Sequence, residues 1–331
     1  MSIGIHMKSI LDTREYYKPF TYPKAYEYYV LSEKMHWDPD EVPMANDVLD
    51  WKNKLTIDEK NFLTQIFRLF TQSDLDVSGA YVNNYLPLFQ LPEIRMMLLS
   101  FAAREATHVR AYSHLIDTLG MPEITYRQFF EYTEMSEKHE YFGSFLADRI
   151  KNCHEKSVML QIAAFSAFTE GMQLFSSFVM LLNFSRFNKM NGMGQIIGWS
   201  VIDESCHCEA MSWLFKEYVK EHREFWDDEI KSAIYECATK MVELENKFID
   251  LAYNGCKIEG LDIDDLKQYI KYITDRRLIG LGMKGIFKVK SNPLPWVEEI
   301  INAPHHASFF ETKNIAYSKA ATTGSWSNVW K

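Results

Sequence analysis

The chain has 331 residues, of which 47% are hydrophobic and 15% aromatic, and its formal net charge is −9 at pH 7. The negative charge argues against a nucleic-acid surface, and the five scattered cysteines form neither an even disulfide framework nor a Cys-x-x-Cys pair. The first residues show no basic segment followed by an apolar run, so we expect no signal peptide and a cytoplasmic protein.

Long helices dominate the predicted secondary structure. Few glycines and prolines interrupt the chain, and it contains no alternating strand pattern of useful length. The predicted helices, in chain order, cover 21–34, 57–86, 92–119, 126–150, 155–184, 188–222, 225–256 and 262–281. We therefore predict one all-α domain over 1–291, followed by an irregular C-terminal tail over 292–331.

Two of these helices have clear start signals. Thr56 and Glu59 are spaced as a capping box before helix 57–86. Pro92 fits the first turn of the next helix, and Gly120 fits its end.

In helix 57–86 a carboxylate interrupts the apolar face. Asp74 takes a place in that stripe, whereas Asp76 falls among polar residues on a solvated or mixed face. The stripe consists of Leu63, Phe67, Phe70, Asp74, Val77 and Tyr81.

Helix 92–119 contains the stretch "REATHVRAYSH", which sets Glu105, His108 and Tyr112 one and two turns apart on one face. The neighbouring "MMLLSFAA" indicates that this face is buried. A buried carboxylate needs a partner, and the rest of the sequence has to supply one.

The most apolar stretch, 158–184, lies in helix 155–184. Glu170 interrupts its apolar stripe, and an ionisable group near the middle would make a membrane span costly. We therefore predict a helix buried on all sides in a protein core, with no contact to a membrane. The stripe consists of Leu160, Ala163, Ala167, Glu170, Leu174 and Phe178.

Helix 188–222 contains a second Glu-x-x-His pair, Glu204 and His207. The order of a carboxylate helix followed by a Glu-x-x-His helix therefore occurs twice along the chain. A third match, Glu33 and His36, lies at the end of a polar helix before "DPDEVP", and we do not expect it to bind metal.

Four carboxylates and two histidines on apolar faces predict a pair of divalent metal ions. Without cations, that many buried ionisable groups would be too costly, whereas two adjacent ions need carboxylates for charge balance and an imidazole each. Ferritin-like dimetal bundles have this arrangement: two helices each supply one carboxylate, and two others each supply a Glu-x-x-His pair. A set of satisfied polar groups in the core is the simpler alternative.

These motifs, over nearly the whole chain, resemble the small, radical-generating subunit of class I ribonucleotide reductase. The matching segments are "TQSDLD", "REATHVRAYSH", "FTEGMQLF", "IDESCH" and "NPLPW". The resemblance implies a centre of two iron ions per chain, with manganese as the alternative metal. The implied ligands are Asp74, Glu105, His108, Glu170, Glu204 and His207.

The resemblance also implies a radical and a route for it. Tyr112 would carry a stable tyrosyl radical, and Trp37, Asp203 and Tyr317 would pass the oxidising equivalent to a large subunit that reduces the ribonucleotide. Asp203 would also accept a hydrogen bond from His108. Each residue also has a simpler interpretation. Tyr112 would be a core tyrosine and Trp37 a packing tryptophan, while Asp203 would be an aspartate on a helix face and Tyr317 a tyrosine of the tail.

The terminal "GSWSNVWK" would then dock on the large subunit, with Trp326 and Trp330 as anchors. We expect a homodimer, activated by dioxygen or by an oxidant from a flavoprotein. A dimetal oxidase or oxygenase acting on a small organic substrate is the main alternative, and a ferritin-like iron store is another. Neither needs Tyr112, Trp37, Asp203 or such a tail.

Overall fold

The structure is a computed structural model that describes residues 9–145 and 153–302. Within these ranges the chain is helical, and its only β-type pairing is an isolated bridge between Ile258 and Leu261. The prediction of an all-α fold is therefore confirmed.

The α-helices of the described residues are between three and 31 residues long. Their bounds are α1 Pro23–Lys34, α2 Ala45–Leu49, α3 Ile57–Ala80, α4 Leu86–Leu88, α5 Pro92–Thr118, α6 Thr133–Gly143, α7 His154–Ala163, α8 Leu174–Arg186, α9 Asn191–Glu221, α10 Asp228–Tyr253, α11 Ile263–Gly280 and α12 Pro295–Asn302.

Two π-helical segments extend these helices where the sequence predicted single α-helices. Tyr81–Tyr85 joins α3 to α4, and Ala164–Gln173 joins α7 to α8. The predicted helices 57–86 and 155–184 are thus each continuous, but with a wider turn inside. The wider turn changes which side chains share a face. A search for a 3.6-residue period assumes a regular α-helix and therefore does not predict this change.

The predicted start signals of α3 and α5 are confirmed. The Thr56 side chain accepts a hydrogen bond from the Glu59 amide, and Glu59 accepts one from the Thr56 amide. Pro92 is the first residue of α5, and Gly120 follows the helix with a positive φ of 70°, which a glycine adopts without strain.

The prediction of one helix over 126–150 was wrong. Two 3₁₀ turns, Glu123–Tyr126 and Gln128–Glu131, precede α6, which begins only at Thr133, and residues 146–150 lie outside the described ranges. Arg68 of α3 donates hydrogen bonds to the side chains of Gln128 and Tyr132. These tertiary contacts hold the segment in turns despite its helical composition.

Two other short helices were also missed. Asp47 of α2 is buried, and its two carboxylate oxygens accept hydrogen bonds from the amides of Gly192 and Met193. This distant side chain therefore caps the N-terminus of α9, which supplies two of the predicted metal ligands. The expectation of an irregular chain after residue 291 was wrong for α12, which begins at Pro295, a residue favoured in the first helical turn.

The chain divides into two compact units, Met1–Pro293 and Leu294–Lys331. In the first unit, α3 packs on α5, α9 packs on α5 and α8, and the π segment Ala164–Gln173 packs on α9, α10 and α11. The described part of the second unit contains α12. That the tail docks on a partner stays a prediction.

One described stretch, His154–Arg186, is long and apolar enough to cross a membrane by length and composition. Its most apolar window lies entirely inside the protein. This burial agrees with a core helix, as the sequence indicated.

Candidate metal centre

The six predicted ligands converge in the interior of the helical unit. Asp74 comes from α3, Glu105 and His108 from α5, Glu170 from the π segment Ala164–Gln173, and Glu204 and His207 from α9. None of the six side chains is more than 1% exposed. In each Glu-x-x-His pair the three-residue spacing places both side chains on one face of the helix.

Their donor atoms form two overlapping groups, each within 4.8 Å. One group contains Asp74, Glu105 and His108, and the other contains Glu105, Glu170, Glu204 and His207. Because Glu105 belongs to both groups, its carboxylate would serve both ions if two were bound.

Both imidazoles present Nδ1 to the carboxylates. His108 Nδ1 lies 3.2 Å from Glu204 Oε1, and His207 Nδ1 lies 3.1 Å from Glu105 Oε1. The two Glu-x-x-His helices therefore exchange contacts, and each histidine faces the glutamate of the other helix.

Many of these buried atoms make no hydrogen bond of good geometry with any described residue, although some lie close to one another, and they test whether metal ions fit the site. Leaving a buried polar atom unpaired is costly, and an oxygen-rich set with two imidazoles is suited to divalent iron or manganese. The donor set therefore fits two such ions. The unpaired atoms are Asp74 Oδ2, both Glu105 oxygens, His108 Nδ1, Glu170 Oε2, both Glu204 oxygens and both His207 nitrogens.

The ionisation of the cluster reflects the crowding of its charges. Burial raises the pKa of Asp74, and it raises the pKa of Glu170 to about 8. Burial alone would lower the pKa of His108 and His207, but the surrounding carboxylates outweigh it and raise both values well above the ordinary one. Glu204 also experiences the burial penalty, yet its contacts with both histidines lower its pKa to about 2.

A hydrogen-bonded chain leads away from the cluster on the His108 side. His108 Nε2 lies 3.2 Å from Asp203 Oδ2, and the same oxygen accepts a hydrogen bond of 2.8 Å from Trp37 Nε1. The Trp37 ring stacks on the His108 imidazole with 5.9 Å between centroids. The structure therefore brings Trp37 and Asp203 together beside a predicted ligand.

Tyr112 lies one turn beyond His108, with 6.3 Å between the two ring centroids. Its hydroxyl donates a 3.0 Å hydrogen bond to Ser200 Oγ, which in turn donates to the Ile196 carbonyl. Burial, together with the charge of Asp74, raises the pKa of Tyr112 well above its ordinary value. Tyr112 is therefore a neutral phenol, and its oxidation has to release a proton.

The remaining sequence motifs do not join the cluster. Glu33 and His36 are exposed at the end of α1, where Glu33 accepts from Ser100 and His36 contacts Arg104. Asp76 contacts the Nδ1 atom of His139. Tyr317, Trp326 and Trp330 lie outside the described residues.

Sequence reasoning missed two groups that contact this site, Ser200 and Tyr81. The Tyr81 hydroxyl donates a 2.8 Å hydrogen bond to Glu170 Oε1. In the sequence, Tyr81 is one member of the apolar stripe of helix 57–86. Its position two turns after Asp74 on the same face is the signal that would have found it.

Comparison with known proteins finds relatives across nearly the whole chain. The family model "Ribonucleotide reductase, small chain" matches residues 14–293. Over 355 aligned residues the chain is 45% identical to the probable ribonucleoside-diphosphate reductase small subunit 376L of Invertebrate iridescent virus 6. The match covers 97% of this chain and 99% of the viral one.

Solved structures show the same helical fold. The ribonucleotide reductase R2 subunit from Clostridium botulinum matches with a TM-score of 0.81 at 21% identity, over 89% of this chain and 94% of that one. The dimanganese(II)-NrdF of Streptococcus sanguinis matches with a TM-score of 0.74 at 20% identity. This match covers 86% of this chain and 100% of that one. The predicted ferritin-like fold is therefore confirmed.

Proposed function

The chain belongs to the ribonucleotide reductase small-chain family, and from that premise we propose that its buried cluster binds two metal ions and that Tyr112 stores the oxidising equivalent. Two iron ions, or two manganese ions in their place, would supply the oxidising power that removes an electron from a phenol. The six ligands would be Asp74, Glu105, His108, Glu170, Glu204 and His207. A dimetal oxidase is not favoured, because the relatives are reductase small subunits.

The position of Tyr112 is the observation that carries this proposal. The phenol is buried, stands one turn from a ligand imidazole and stacks on Phe70 with 4.5 Å between centroids. Its hydroxyl donates to Ser200 Oγ, and this hydrogen bond fixes the orientation of the phenol. Burial keeps water from the ring, which protects a radical once it forms.

The contacts of His108 support a route for the electron that later returns to Tyr112. Asp203 and Trp37 continue the hydrogen-bonded chain from the metal centre, and Tyr317 of the tail is proposed as the next redox residue. In this role Asp203 holds the Nε2 proton of His108 and the Nε1 proton of Trp37. Small subunits of this family act with a large subunit, and the terminal "GSWSNVWK" is proposed as the segment that docks there.

The choice of metal and oxidant belongs to the same proposal. A relative in fold is named as a dimanganese(II) protein, and the same oxygen and imidazole donors suit iron. Dioxygen, or an oxidant supplied by a flavoprotein, would activate the centre. We further propose a cytoplasmic homodimer, since a homodimer is named for the fold relative Rnr4 of Saccharomyces cerevisiae.

Deoxyribonucleotide formation with the cognate large subunit tests this function. Trp37→Phe is expected to abolish turnover and to leave metal content and the Tyr112 radical intact, because it interrupts only the route beyond His108. Trp51→Phe is the matched control, since Trp51 packs on Phe67 and is not part of that route. Normal turnover by Trp37→Phe would remove this residue from the route, and normal turnover by Tyr112→Phe would overturn the proposed function.

A further inference from the structure

A second buried phenol contacts the cluster beside Glu170 and His207, whereas Tyr112 lies beside His108. Tyr81 is the first residue of the π segment Tyr81–Tyr85, and its side chain has no exposed surface. Its hydroxyl donates to Glu170 Oε1 over 2.8 Å. This bond joins the end of α3 to the π segment that contains Glu170, 89 residues later in the chain.

The Tyr81 ring is held in place by packing on three sides. It meets Phe165 edge-on with 4.8 Å between centroids, Phe101 at 5.9 Å and the His207 imidazole at 6.1 Å. The hydroxyl therefore has a fixed position, and so does the oxygen that accepts its proton.

A metal-binding carboxylate can rotate between several arrangements, binding through one oxygen, through both, or as a bridge. The phenol occupies one lone pair of Glu170 Oε1, an oxygen that also lies 3.6 Å from His207 Nδ1. A hydrogen bond from a fixed donor restricts the carboxylate to one rotation and leaves its other lone pairs for a cation.

Among the described residues, no side chain makes a comparable hydrogen bond to Asp74 on the His108 side of the cluster. Asp74 Oδ1 has a weak contact with its neighbour Ser73 at 3.4 Å, and Asp74 Oδ2 makes no hydrogen bond. On that side the fixed contact is instead to the histidine, through Asp203. The two metal positions thus differ in which ligand is held from outside.

We propose that Tyr81 is a positioning residue that fixes the carboxylate of Glu170, and thereby the ion beside His207. The inference rests on the proposed metal centre and adds to it a difference between the two ions. Removing the phenol hydroxyl should weaken one binding step and leave the other unchanged, because only Glu170 loses its partner.

Titration of the metal-free protein with Co²⁺ tests this, read by calorimetry and by the visible absorption bands of the bound ion, which report its coordination geometry. We expect two equivalents in the wild type. In Tyr81→Phe one equivalent should bind as before and the other about 10- to 100-fold more weakly, with an altered visible band.

Tyr85→Phe is the matched control. Tyr85 lies in the same π segment and is equally buried, but its hydroxyl makes no hydrogen bond to a residue that the structure describes. Both equivalents should bind this variant as they bind the wild type. Site-specific 3-fluorotyrosine at position 81 keeps the hydroxyl and should restore both steps, which separates the hydrogen bond from a packing effect.

Two results would overturn the inference: wild-type titration by Tyr81→Phe, or an equal loss in Tyr85→Phe. If Tyr81→Phe does not fold, weakened binding by the 3-fluorotyrosine protein overturns it as well. A wild-type protein that binds fewer than two equivalents would instead contradict the metal centre itself.

Discussion

Asp74 and Asp76 lie two residues apart on α3 in opposite environments. Asp74 is buried among the proposed ligands, whereas Asp76 contacts His139 and accepts a hydrogen bond from Gln72. A helix turns about 100° per residue, so side chains two positions apart point about 200° apart and lie on different faces. The face of the helix therefore decides which aspartate needs a cation.

Metal binding is predicted to release protons and to weaken as the pH falls. The raised pKa values of Glu170, His108 and His207 mean that the metal-free cluster holds protons at pH 7 that a cation must displace. Apparent affinity should therefore rise with pH, and the calorimetric enthalpy at pH 7 should depend on the buffer in the sense of proton release. Asp76→Asn should show the same dependence, and binding without proton release would contradict these protonation states.

The chemical residues of the site could be predicted where their signal is local. The Glu-x-x-His spacing, and a carboxylate in an apolar stripe, are visible over a few turns of one helix. Ser200 and Tyr81 were missed because each becomes important only through a residue far along the chain, Tyr112 and Glu170 respectively. The helix face that Tyr81 shares with Asp74 places it near the site, but no local pattern identifies Glu170 as its partner, and no local pattern marks Ser200.

At the scale of elements, the π segment Ala164–Gln173 is the unusual part of the site. Glu170 lies inside it, and the next residue, Gly171, has its carbonyl bound by Arg277 Nε of α11 at 2.7 Å. A Cβ on Gly171 would lie 2.8 Å from Arg277 Nε, 2.8 Å from Cys208 Sγ and 2.9 Å from the Ser166 carbonyl. The close approach of α9 and α11 to this segment therefore requires a glycine.

Gly171→Ala is predicted to lower the free energy of unfolding of the metal-free protein by about 1–3 kcal/mol, because the methyl group must displace fixed neighbours. Urea denaturation measures the loss. Gly198→Ala on α9 is the control, since nothing lies within 4 Å of its added Cβ. Alanine there should increase stability by up to about 1 kcal/mol. A Gly171→Ala protein as stable as the wild type would show that the segment adapts freely.

The long helices could be predicted from periodicity, but their irregular turns could not. The apolar stripes in 57–86 and 155–184 are recognisable because apolar residues are frequent enough there to show a pattern even when a helix contains a wider turn. The segment 126–132 has helical composition, yet the contacts of Arg68 with Gln128 and Tyr132 hold it in 3₁₀ turns. Such contacts join residues about 60 positions apart and leave no periodic signal.

In the whole molecule, one part of the chain would generate the radical and another part would deliver it to the large subunit. The ligands and Tyr112 belong to the unit Met1–Pro293, whereas Tyr317 and the terminal aromatics belong to Leu294–Lys331. Chemistry completed inside the helical unit would not need the second unit. A radical donor does, because it must bind a partner and take an electron from it.

Deleting the residues after Ala320 is predicted to abolish association with the large subunit and nucleotide reduction, with metal binding and the Tyr112 radical retained. Tyr317→Phe is the paired variant: it should associate normally and lose turnover, since phenylalanine is not readily oxidised. A binding measurement beside the deoxyribonucleotide assay separates the two effects. Normal turnover by the truncated chain would contradict the docking role of the tail.

Electron paramagnetic resonance of the oxidant-activated, metal-loaded protein tests the central claim most directly. The account predicts a sharp tyrosyl signal near room temperature that changes its hyperfine pattern when the protein is made with ring-deuterated tyrosine. The signal should be absent from Tyr112→Phe at unchanged metal content and retained in Tyr126→Phe, whose hydroxyl bonds Asp117 away from the centre. The same tyrosyl signal in Tyr112→Phe would contradict the account.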